Sequence, residues 1–170
     1  MNGNEPTIPM TIARSNYVSV PARAAALGYT VPDGLVFLPD NFEAAQEGDQ
    51  LRLQGEATTI SKLLRQEGIL IERLGPSSET AFIHNRSHDW ALPIIFVGAE
   101  LMKQSPDMIG TAIDVIRDYL IKLFEGTAGK KIKAEIVLEE RRGKRYQKIT
   151  YEGDAEGLSE LEKLCKRLIR

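Results

Sequence analysis

Cysteine is all but missing from this 170-residue chain, with Cys165 standing alone. A single thiol can form neither an internal disulfide nor a Cys-x-x-Cys pair, which excludes a disulfide-stapled secreted scaffold and favours a reducing compartment. Long apolar runs are missing too. The richest window, Leu92 to Ala99, ends against Glu100, far short of the roughly 20 residues that span a membrane. Residues 1–9 contain neither a basic leader nor an apolar stretch, so no signal peptide is expected. The expected location is the cytoplasm, with no membrane partner. An excess of one charge is also absent: 24 acidic against 22 basic residues leave −2, so any pull towards nucleic acid would have to be local. What remains is ordinary globular composition, 42% apolar and 27% charged, which excludes disorder and fibrous classes.

The spacing of apolar residues and breakers predicts an α+β fold with a mixed or antiparallel sheet, a C-terminal β-hairpin, packed helices and room for two small lobes. Residues 1–30 read as an arm, with an edge strand expected near Asn16–Val20, followed by a short helix that Pro21 starts and Gly28 ends. Residues 31–78 read as a small α/β lobe. It holds strands at Leu35–Leu38, Asp49–Gln54 and Ile69–Leu74, and a helix capped by Thr58 or Thr59 and closed by Gly68. The cluster Gly75-Pro-Ser-Ser78 marks the boundary. Residues 79–170 read as an α+β lobe of strand, two helices, hairpin and helix. Leu92–Lys103 reads as a buried helix, although Ile94–Val97 are equally good strand formers. Ser105-Pro-Asp107 starts a helix to about Phe124. Lys131–Leu138 and Arg145–Tyr151 form the hairpin around Gly143, and Asp154 caps a final amphipathic helix.

Both histidines fall in His84-Asn-Arg-Ser-His88, directly before Asp89. Imidazoles beside a carboxylate suit proton transfer or zinc ligation, which makes His84, His88 and Asp89 the catalytic candidates. The four-residue spacing serves a metal only on a helix, whereas Asn85, Ser87 and Asp89 are turn formers, and no Glu completes H-E-x-x-H. A structural loop is the favoured reading, with no metal and no cofactor expected. The hairpin and its approaches carry eight basic side chains, Lys130, Lys131, Lys133, Arg141, Arg142, Lys144, Arg145 and Lys148, against three glutamates, a local +5. Arg141, Arg142, Lys144 and Arg145 are the candidate contacts for nucleic acid or another polyanion, with Tyr146 or Tyr151 as a stacking face. The competing reading is a solvated hairpin whose Glu and Arg pair across strands.

Other apparent motifs fail. Gly126-Thr-Ala-Gly-Lys130 follows a helix and precedes a strand, the reverse of a phosphate-binding loop. Cys165 lies on an apolar helix face, where a thiol is inert packing. Ser77 and Ser78 lack the glycines of a nucleophile elbow.

The segment Leu92–Phe124 offers more apolar surface than a small sheet obviously covers. Ile109, Ile113, Ile116 and Leu120 are the candidate contacts with a protein partner or a second copy, a central helix pair inside one chain being the alternative. In its C-terminal half, an apolar helical pair, a charged hairpin, the segment Lys148-Ile-Thr-Tyr-Glu-Gly-Asp-Ala-Glu-Gly-Leu158 and an amphipathic helix follow in order. That half resembles small accessory proteins encoded beside effectors in prokaryotic conflict systems. The resemblance implies an adaptor and carries no catalytic motif. The leading expectation is a non-enzymatic interaction or self-association module. Polyanion binding and a small enzyme or metal site at His84, His88 and Asp89 are the alternatives.

Overall fold

The computed structural model describes residues 8–74, 81–83, 89–127, 130–141 and 143–169. In chain order they form β1 (Thr11–Asn16), α1 (Val20–Ala26), β2 (Leu35–Leu38), β3 (Arg52–Gln54), α2 (Ala57–Gln66), β4 (Ile71–Arg73), β5 (Ala81–Ile83), β6 (Asp89–Ala91), β7 (Ile94–Val97), α3 (Ala99–Gln104), α4 (Met108–Leu123), β8 (Lys131–Arg141), β9 (Arg145–Gly153) and α5 (Leu158–Ile169). The fold is α+β. Its main sheet has seven strands in the order β1-β9-β8-β7-β2-β4, with β6 beside β7 on the same strand, β8. It is mixed: β7 and β6 run parallel to β8, and β4 runs parallel to β2, while the other pairs are antiparallel. β3 and β5 make a separate parallel pair. β2 pairs β7 from Leu35↔Val97 to Leu38↔Ile94, so one sheet runs across the boundary expected near residue 75, and residues 75–80 lie outside the described residues.

Side chains alternate across the sheet, and both faces are used. On one face Leu35, Phe37, Ile95, Val97, Ile136 and Tyr151 pack with α2, α4 and α5. On the other, Val36, Leu38, Ile94, Phe96, Val137 and Tyr146 pack with α1 and the segment 39–51. The Arg23 guanidinium holds that segment down, donating to the carbonyls of Phe42 (3.0 Å) and Ala45. Ser19 caps α1, its Oγ accepting from the Ala22 N–H at 3.4 Å, and Gly28 leaves the helix at φ 90°.

Three local readings are corrected. Residues 94–97 are a strand and only 99–104 a helix, because β7 is covered on both faces and a doubly buried strand loses its two-residue period. Pro93, with no N–H to give the ladder, separates β6 from β7. The first strand lies at Thr11–Asn16, ahead of its expected place. The N-caps of α2 and α4 are Glu56 and Asp107, not the hydroxyl residues. Ser105 contributes its backbone carbonyl, which accepts from the Met108 N–H at 3.1 Å.

Glu139 ties the hairpin to this frame. Its carboxylate is buried and accepts from the Ala99 N–H at the start of α3 (2.9 Å), the Gly143 N–H in the turn (3.1 Å) and the Tyr146 hydroxyl (2.6 Å). Burial first, then the carboxylate, raises the Tyr146 phenol to about 12, and Tyr119 is raised to about 12 by burial and its bond to Glu56 (2.8 Å). Tyr17 and Tyr151 are raised in the same direction, chiefly by burial. An unfolded phenol ionises near 10. These tyrosines therefore leave stability untouched below pH 10, and stability falls as pH rises from about 10 through about 12. The expected result is that tyrosinate absorbance appears together with loss of circular dichroism. A transition near pH 10 in which all four phenols ionise and the fold stays intact would refute the assignment.

Candidate functional site

The residues that the sequence marked out separate in the structure. Ile109, Ile113, Ile116 and Leu120 lie on the inward stripe of α4 and are 1%, 3%, 4% and 0% exposed. The expectation that they face a partner is corrected: the sheet and α5 already cover them within one chain. The apolar side chains of α4 left outside are Ile121 and Leu123. His84 and His88 lie outside the described residues. Asp89 is placed by its backbone alone, opposite Lys131 in the β6–β8 pair. Among the described residues, no group of three or more His, Cys, Asp or Glu stands together to hold a metal ion.

Four of the eight basic side chains of the hairpin and its approaches meet carboxylates among the described residues. Lys131 pairs with Glu152 (3.4 Å), Lys133 with Glu135 (3.5 Å), Arg145 with Glu140 (2.9 Å) and Lys148 with Glu135 (3.2 Å) and Glu43 (3.9 Å). Lys148 also lies over the Tyr17 ring, 5.6 Å from its centre. Lys144 is exposed at the turn, whereas Tyr146 and Tyr151 are buried and offer no stacking face. Arg142 and the side chain of Arg141 lie outside the described residues. Cys165 is buried, and burial beside Glu162 pushes its thiol up to about 12, so it is protonated at neutral pH and a poor nucleophile.

A cavity of about 20 Å³ sits between the sheet and α4, lined by Phe37, Ile60, Ile95, Ile113 and other apolar groups. That space holds about one water and offers it few polar partners. Between α4 and α5, the carboxyl of Asp114 hydrogen-bonds that of Glu162, which raises the Asp114 pKa. Burial pushes Glu162 up, but Asp114 and Lys166 outweigh it and the net shift is downward. Gly110 provides the room: a Cβ there would stand 3.1 Å from Lys166 Cε and 3.3 Å from Glu162 Oε1. This cluster locks two helices together.

The edge of the sheet at β1 is different, because among the described residues its outer side has no strand to bond. β1 pairs antiparallel with β9 from Thr11↔Glu152 to Asn16↔Gln147. Just beyond it, the Tyr17 N–H donates to the Tyr146 carbonyl at 2.9 Å. In an antiparallel ladder, alternate residues turn both backbone groups to the same side. Thr11, Ala13 and Ser15 therefore bond to β9, and Ile12, Arg14 and Asn16 present their N–H and C=O groups outward. Among the described residues no strand lies on that side.

Every β1 residue but Ile12 is exposed, and the exposed apolar side chains Met10 (48%) and Val18 (39%) bracket the strand. Sheets usually protect such an edge with charge, proline, a bulge or short length. The opposite edge, β4, is protected: it has three residues, of which Glu72 and Arg73 are charged. β1 has six, with Arg14 its one charge. The sequence hid this site because Ile12 is its single large apolar residue, too little for an alternating pattern. Comparison of the chain with family models, curated proteins and solved structures gives no match.

Proposed function

We propose that this chain is a non-enzymatic protein-interaction module that docks through the open β1 edge of its sheet. The observation that carries the reading is a strand whose outward backbone groups meet no other strand among the described residues and which is flanked by exposed Met10 and Val18. A strand added there would gain a ladder of backbone hydrogen bonds for affinity and cover the flanking apolar groups for specificity. The resemblance of the C-terminal half to effector-associated proteins supports the role of an adaptor in a prokaryotic defence system. The apolar contacts assigned to α4 have no part in this reading, since they are already enclosed.

A photo-crosslinking amino acid at Asn16, introduced in cells producing the full chain, tests it. Discrete crosslinked protein species are expected from Asn16 and not from Lys62, an exposed control on α2. The reading fails if Asn16 captures nothing, or captures the same smear as Lys62.

A further inference from the structure

We infer that the occupant of the β1 edge is a second copy of this chain, joined antiparallel about a two-fold axis through Ala13. The inference rests on the edge-docking reading and adds to it the partner and the register. A two-fold axis perpendicular to the sheet reverses strand direction and keeps each face continuous, so residues that face one another must share a face of the strand. Three placements then keep most of β1 in register, with the axis at Ile12, Ala13 or Arg14.

The axis at Arg14 sets two guanidinium groups directly against each other, which is repulsive. The axis at Ile12 sets Ile8 against the partner's Asn16 and leaves Val18 without an apolar match among the described residues. The axis at Ala13 sets Ile12 against the partner's Arg14, Met10 against the partner's Asn16, Thr11 against the partner's Ser15 and Val18 against the partner's Ile8. No like charges stand directly opposite, and the two Arg14 side chains are diagonal neighbours about 7–8 Å apart instead of face to face. Val18 gains an apolar neighbour, and the hydroxyl residues pair as cross-strand partners do. One strand further out, Glu152 beside Thr11 and Lys148 beside Ser15 place opposite charges in the same cross-sheet row. At about 14 Å, three strand spacings, this contributes little at physiological salt.

Outward groups at residues 10, 12, 14 and 16 can exchange about eight hydrogen bonds in that register. An edge this short buries less than the roughly 1,200–2,000 Å² of a stable interface, so the dimer is expected to be weak and concentration-dependent.

Ala13 lies on the α1 face of the sheet, is exposed and belongs to neither core cluster, so it can be changed without loss of core. In the dimer it meets its own copy. Ala13→Lys and Ala13→Glu are each expected to weaken association at least tenfold, by placing like charges face to face. An equimolar mixture of the two should restore it to within about threefold of wild type. Sedimentation velocity from roughly 10 µM to 1 mM reads all three, with circular dichroism confirming the fold of each variant. As a second measurement, Ala13→Cys should crosslink to itself on mild oxidation, because non-hydrogen-bonded cross-strand pairs lie within disulfide reach.

Wild type that stays monomeric throughout, or single variants that associate as wild type does, would overturn the inference. If Asn16 nevertheless crosslinks to a different protein, the edge-docking reading stands and only the second copy is lost. If Asn16 crosslinks to nothing, both are lost.

Discussion

Leu120→Ala is expected to destabilise the chain by about 3 kcal/mol, and by the same amount at any protein concentration. Leu120 is 0% exposed in the core between α4, the sheet and α5. Truncation removes its transfer free energy and leaves a void that close-packed neighbours fill only in part, a loss of about 2–5 kcal/mol for buried leucines. The concentration clause separates two roles for the same side chain. If Leu120 were at an interface, its removal would act through association and the urea midpoint would shift with protein concentration. In the core, it lowers the midpoint equally in dilute and concentrated samples. Ile121, the next residue, is 39% exposed, and Ile121→Ala should stay within about 0.5 kcal/mol of wild type. A larger cost for Ile121 than for Leu120 would reverse the assignment of the two faces.

The fate of this segment shows where reading from sequence works and where it stops. Local signals carried α1, with Pro21 in its first turn and Gly28 behind, the end of α2 at Gly68 and the hairpin around Gly143. All three glycines have positive φ, a conformation in which glycine is uniquely comfortable. Such signals are written within a few residues. β7 is not: Ile94–Val97 is apolar throughout because helices cover one face and α1 with segment 39–51 the other, and a uniformly apolar run has neither helical nor strand period. The mistaken helix there doubled the apparent helical surface and made Ile109, Ile113, Ile116 and Leu120 look uncovered. The β1 edge fails to register for the opposite reason. Its significance lies in a missing neighbour, which is a property of the assembled sheet and not of Thr11–Asn16. Glu139 likewise looks like one surface charge among many in the sequence, and only the fold brings Ala99, Gly143 and Tyr146 to its carboxylate.

Gly157→Ala is expected to cost about 2–3 kcal/mol, although Gly157 is not among the glycines with positive φ. The constraint there is space. Tyr151 is fully buried, and its hydroxyl donates to the Asp154 carbonyl at 2.6 Å. The turn that carries that carbonyl closes over the ring, with the Gly157 N–H donating to Asp154 Oδ1 at 2.8 Å. A Cβ on Gly157 would fall inside contact distance of the Tyr151 hydroxyl, and one on Gly153 would stand 2.6 Å from it. The ring cannot retreat, because the sheet and α5 enclose it. The glycine spacing in Lys148–Leu158 thus has a packing cause in this chain. A double-mutant cycle separates lost space from lost flexibility. Tyr151→Phe alone should cost about 1 kcal/mol for the missing hydrogen bond. Combined with Gly157→Ala, it removes the atom that the new methyl strikes, so the double variant should be more stable than the sum of the single losses by at least about 1 kcal/mol. Additive losses in urea unfolding would show that the methyl is accommodated elsewhere, and would leave Gly157 as a residue required for its backbone and not for the room above it.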